Sequence, residues 1–92
     1  MNQLELNPWK LVFRKDWDEH FKKFDKEIQK RILKKFNQMK QPLMARGLKQ
    51  SKVLVEEAGQ YRIAFYQNEE ELQKEIHFVG NHKQYEKWFK DQ

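Results

Sequence analysis

The chain has 92 residues, no cysteine, and 19 Lys and Arg against 14 Asp and Glu, for a net charge of +5. That length is read as one domain with a single thin core, and the absence of cysteine excludes a disulfide framework or a thiolate metal site. No apolar run approaches the roughly 20 residues of a membrane span, and no secretory h-region opens the chain, so a soluble, unprocessed protein of a reducing cytoplasm is expected.

Trp9, Leu11 and Phe13 alternate with Lys10, Val12 and Arg14, the period of a half-buried strand. Asp16 then reads as a helix N-cap, with Glu19 completing a capping-box-like pair. From there Trp17, Phe21, Phe24, Ile28, Ile32, Phe36 and Met39 follow one another at spacings of four, three, four, four, four and three, a continuous apolar helical stripe. One helix of about 25 residues would satisfy this period, but Asp25 offers a second N-cap and with it a break near Phe24. The stripe should end before Pro42, since a proline disfavours helical geometry in the residue preceding it.

Residues 41–51 contain a proline, a glycine, Arg46 and Lys49, and read as a basic loop that continues to Lys52. Three strand patterns follow. Val53 and Val55 flank Leu54, a turn at Ala58-Gly59-Gln60 leads to alternating Tyr61, Ile63 and Phe65, and a second turn over 68–71 leads to Leu72–Val79. Simple alternation puts Tyr61, Ile63, Phe65, Ile76 and Phe78 towards the helices. It leaves Arg62, Tyr66, His77 and Val79 on the other face.

Charge is uneven along this order. Residues 15–40 carry nine basic and five acidic side chains, whereas residues 53–75 carry six glutamates against Arg62 and Lys74. A polyanion or an acidic protein would be drawn to the helical part and the basic loop.

Arg62 is the first candidate for chemistry, a planar guanidinium in mid-strand that matches phosphate oxygens bidentately. Pattern alone favours the plainer reading of a structural arginine paired with Glu56 or Glu57 across the hairpin. His82 and Tyr85 lie just past Gly80. An imidazole there can exchange a proton near neutral pH and a phenol can orient a phosphate, or the same residues can simply dock a C-terminal helical turn with His82 as its exposed start. His20 reads as solvated, and His77 as facing a cleft or making a cross-strand pair. No histidine has the spacing of a metal ligand.

The segments Phe24–Ile32, Arg46-Gly47-Leu48-Lys49, Gly59-Gln60-Tyr61-Arg62-Ile63 and Val79-Gly80-Asn81-His82-Lys83-Gln84-Tyr85, in that order and spacing, resemble the RelE/ParE superfamily, the toxins of type II toxin-antitoxin systems. The resemblance runs from Trp9 onward and is nearest to the RelE- and HigB-like mRNA endonucleases. It implies an α+β fold: an N-terminal strand, a two-helix antiparallel hairpin, a three-stranded antiparallel meander completing one sheet, and a short C-terminal helical turn.

It also implies cleavage of mRNA at the ribosomal A site by attack of a ribose 2′-hydroxyl on the adjacent phosphate, with no metal or other cofactor. Carried over by position, Arg62 contacts the scissile phosphate, His82 is the general acid, and Tyr85 stacks on a base or orients the phosphate. Glu57, or its neighbour Glu56, would be the base, because Val53-Leu54-Val55 stands where some members have lysines. Arg46, Lys49, Lys52 and Lys83 would bind RNA. The implied partners are a cognate antitoxin protein, mRNA and the decoding site of the 30S ribosome. ParE-like poisoning of DNA gyrase and non-catalytic binding of RNA or protein are the alternatives within the same fold.

Overall fold

The computed structural model describes residues 9–41 and 53–91. The basic loop with Arg46, Lys49 and Lys52 therefore lies outside the described residues. The elements are β1 (Lys10–Phe13), α1 (Lys26–Met39), β2 (Leu54–Ala58), β3 (Tyr61–Asn68), β4 (Gln73–Asn81) and α2 (His82–Lys90), with a 3-10 turn at Phe21–Lys23. The four strands form one mixed sheet in the order β1-β4-β3-β2. β1 runs parallel to β4, and the other two pairings are antiparallel.

The expected helical hairpin is not formed. Asp16, instead of capping a helix, adopts a left-handed backbone with φ 65°. Residues 14–24 fold as successive turns, with Trp17, Glu19, Lys23 and Phe24 each donating their amide to the carbonyl three residues earlier. Phe24 is extended and Asp25 immediately caps α1, its carboxylate accepting from the Ile28 amide at 3.2 Å. No residues remain between the two for a helix-to-helix loop. The aromatic stripe nevertheless packs as its period predicts, with Trp17 4.8 Å from Phe13 and 5.8 Å from Phe36 between ring centroids.

α1 buries Ile32, Phe36 and Met39 against Ile63, Phe65, Ile76 and Val79 of the sheet. Fully burying a side chain of this kind contributes about 1.5–3 kcal/mol, so these few contacts hold helix to sheet. Val79, and not Phe78, faces α1. Ala64 pairs with Phe78 but Phe65 pairs with Ile76, so the ladder skips His77 and a β-bulge inverts the alternation beyond it. Phe78 thereby turns to the second face, stacked on Trp88 of α2 at 5.2 Å. His77 joins it there, 4.4 Å from the Tyr66 ring and 3.4 Å from the Glu75 carboxylate.

Between β2 and β3 the chain reverses through Gly59-Gln60, where Gly59 takes a positive φ of 66° that a side chain would oppose. At the other end of the sheet, Lys74 is 6% exposed and donates to the Met39 carbonyl at 2.8 Å, tying the end of α1 to β4. Its ammonium also lies 5.1 Å from the Trp9 ring and 5.6 Å from the Phe65 ring.

Candidate active site

The register of the three antiparallel strands places Glu57, Arg62 and Gly80 in one row across the sheet. Directly paired residues share a face, so Glu57 stands beside Arg62 on the face away from α1. Glu56 points the other way, and its carboxylate meets Lys35 of α1 at 3.8 Å. Of the two glutamates considered as a base, only Glu57 is on the side of Arg62.

The Arg62 side chain is held from two directions. Its Nε lies 3.8 Å from a Glu57 carboxylate oxygen, and its Nη2 lies 3.4 Å from His82 Nδ1. Glu57 fulfils the structural pairing anticipated for this arginine. His82 joins the same guanidinium from the next element, so the pairing and the cluster coexist.

His82 reaches this position because β4 passes directly into α2. Asn81 is the N-cap: its side chain accepts from the Gln84 amide at 2.8 Å, and the Gln84 side chain accepts from the Asn81 amide at 2.8 Å. This capping box satisfies two otherwise unpaired donors and sets the helix going at His82. Instead of the short turn expected, α2 is a helix of nine residues. Gly80 is required for its close approach, since a Cβ there would lie 2.7 Å from the Phe78 ring and 2.9 Å from the Gln84 side-chain oxygen.

On the first turn of α2, Lys83 is exposed beside His82. One turn on, Tyr85 is half-buried. Burial pushes its hydroxyl up from 10.0, and the positive charge of Arg62 pulls it part of the way back. The phenol therefore stays protonated at neutral pH and can donate a hydrogen bond, but cannot serve as a base.

Glu86, one turn beyond His82, was not anticipated from the sequence; its carboxylate lies 2.9 Å from His82 Nε2. The pair would have been visible as a helical i, i+4 spacing had residues 82–90 been read as a helix. His20, expected to be solvated, is half-buried with its ring 5.5 Å from Phe78.

An open cleft of about 610 Å³ lies beside α2, lined by Lys15, Asp16, Glu19, His20, Phe78 and Trp88 among others. It contains none of Glu57, Arg62, His82 or Tyr85, and its cations are matched by carboxylates, so it lacks the positive field that a phosphate backbone needs. Among the described residues, no group of three or more His, Asp or Glu could hold a metal ion, and no helix is long and apolar enough to cross a membrane.

A four-stranded mixed sheet with a helix across one face, and a guanidinium, an imidazole and a carboxylate gathered on the other, defines a small α+β protein of RelE-like fold. In particular, the chain is similar to the isolated RelE toxin of E. coli, with a TM-score of 0.61 and 16% identity over 90% of this chain and 97% of that one. No family model and no curated protein sequence matches the chain.

Proposed function

We propose that this chain is a RelE-type toxin that cleaves mRNA at the ribosomal A site without a metal. The observation that carries the reading is the Arg62 guanidinium held between the Glu57 carboxylate at 3.8 Å and the His82 imidazole at 3.4 Å, on the sheet face away from α1. Transesterification of RNA needs three things at one phosphate: a base for the 2′-hydroxyl, positive charge for the phosphoryl oxygens, and an acid for the departing 5′-oxygen. Glu57, Arg62 and His82 provide one of each within a single row and its adjoining helix. Tyr85, protonated and near Arg62, donates to a phosphoryl oxygen or stacks on a neighbouring base. Lys83 adds charge along the backbone, as Arg46, Lys49 and Lys52 would from the segment between α1 and β2.

The reading entails further partners, namely the 30S decoding site and a cognate antitoxin. α1 exposes Leu33 among Lys26, Lys30 and Lys34, a surface suited to an acidic amphipathic segment. Antitoxin binding that survived Lys→Glu reversal at all three lysines would remove that assignment.

The test is Arg62→Ala. The variant should lose growth arrest on expression while keeping the wild-type circular dichroism spectrum. Loss of the folded spectrum would instead make Arg62 a structural residue and take away the main support for the nuclease reading.

A further inference from the structure

The histidine of the cluster has a second partner to which the nuclease reading assigns no role. His82 Nε2 lies 2.9 Å from a Glu86 carboxylate oxygen, on the opposite side of the ring from Arg62. A guanidinium has donors and no acceptor, so in its 3.4 Å contact with Arg62 the His82 Nδ1 must present its lone pair. The ring proton is then on Nε2, directed at Glu86. Glu86 from the same helix and Arg62 from β3 thus fix both the tautomer and the plane of the imidazole, with Glu57 of β2 beyond the guanidinium and Tyr85 beside it.

We propose that Glu86 is a positioning residue that acts through His82, aiming Nδ1 at the leaving group and stabilising the imidazolium that delivers the proton. The proposal rests on the nuclease reading. A phosphodiester bound at Arg62 occupies the guanidinium donors and so releases Nδ1, which takes up a proton from the surrounding water while Nε2–H remains bonded to Glu86. Glu57 then accepts the proton of the 2′-hydroxyl as the 2′-oxygen forms its bond to phosphorus. The bond from phosphorus to the 5′-oxygen breaks, and that oxygen takes the Nδ1 proton. The products are a 2′,3′-cyclic phosphate and a 5′-hydroxyl, with His82 returned to its Nε2–H form and the exposed Glu57 releasing the 2′-hydroxyl proton to water. Both partners of the pair are more than half exposed, so water screens the interaction and the effect of Glu86 is modest.

An RNA substrate with sulfur in place of the bridging 5′-oxygen separates this role from a structural one, because a thiolate departs without protonation. The full chain is assayed on the oxygen and sulfur substrates, each presented free and in a programmed ribosome. On the oxygen substrate, His82→Ala should slow cleavage by about 100-fold or more. Glu86→Ala should slow it about three- to fivefold, the upper range for an exposed pair, and the double variant should be no slower than His82→Ala. On the sulfur substrate both single variants should approach the wild-type rate, whereas Arg62→Ala should remain slow on both. Glu86→Gln, which keeps an acceptor for Nε2–H but not the charge, should fall between wild type and Glu86→Ala on oxygen. Equal losses on oxygen and sulfur, full additivity in the double variant, or a wild-type rate for Glu86→Ala would each overturn the role. Failure of the wild-type protein to cleave either substrate would overturn the nuclease reading itself, and this role with it.

Discussion

Gly80→Ala tests how the fold places the cluster. A methyl group at this position would lie 2.7 Å from Cζ and 2.8 Å from Cε2 of Phe78, and 2.9 Å from the Gln84 side-chain oxygen. All three are below any ordinary carbon contact. The Phe78 ring has little freedom to yield, since it stacks on Trp88 at 5.2 Å and meets His20 at 5.5 Å. Overpacking of this kind costs about 1–3 kcal/mol. Gln84 can swing away, but only by releasing the Asn81 amide and opening the capping box, a further loss of about 0.5–2 kcal/mol. The two costs overlap in one relaxed structure, so the expected destabilisation is about 2–4 kcal/mol, a large share of the roughly 5–15 kcal/mol that holds a small domain. For a chain of this size that corresponds to a melting temperature lower by about 10–20 °C. Urea denaturation followed by far-UV circular dichroism, with Trp fluorescence as a second probe, measures it. Gln84→Ala removes one of the two obstructions, so its loss should not add in full to that of Gly80→Ala. A stability within about 0.5 kcal/mol of wild type would refute the steric reasoning, 0.5 kcal/mol being the range of a neutral surface change.

Other expectations concern the ends of the helices. Asn81→Ala removes the α2 N-cap and should destabilise by about 1 kcal/mol, with a larger proportional loss of the proposed nuclease activity because His82 and Tyr85 are the residues it places; equal stability in urea would contradict this. Lys74→Met removes the donor to the Met39 carbonyl and should cost about 1–3 kcal/mol at pH 7 by the same assay. Burial lowers the Lys74 ammonium from 10.5, outweighing the opposing pull of Glu56. Between the lowered folded value and 10.5 the unfolded chain therefore binds more protons than the folded one, and this residue's contribution to stability rises with pH across that window. Tyr85 acts in the opposite sense, since its folded value is raised above 10.0 and its contribution is lost as pH climbs past that point. Subtracting the Lys74→Met curve from wild type isolates the lysine, and a difference that stays flat as pH rises to 10.5 would show that its charging is not coupled to folding.

The parts of this fold that could be read from sequence are those governed by local periodicity and capping. Asp25 caps a helix, the Gly59-Gln60 reversal joins two strands, and the apolar stripe from Trp17 to Met39 packs on the core as its spacing requires. The same stripe misled about the hairpin, because aromatic residues three and four apart are placed on one side by successive tight turns as well as by an α-helix. The bulge at His77 left no pattern to follow. One extra residue in a ladder shifts Val79 and Phe78 between faces, and nothing in an apolar run marks where the shift occurs. Lys74 was equally unreadable, since its burial depends on a carbonyl 35 residues away.

Of the candidate site, a glutamate across the hairpin from Arg62 could be expected, with Glu56 and Glu57 both open, and His82 stood out by its place just after Gly80. The choice of Glu57 over Glu56 needed the face to be known. Glu86 needed the last segment to be a full helix.

The central claim is that Arg62 and His82 together cleave RNA, and mapping of new mRNA 5′ ends after controlled expression, wild type against His82→Ala, tests it most directly. The account predicts cuts in frame with translation that disappear in the variant while both proteins stay folded. Growth arrest with intact mRNA, or cuts that persist without His82, would contradict it.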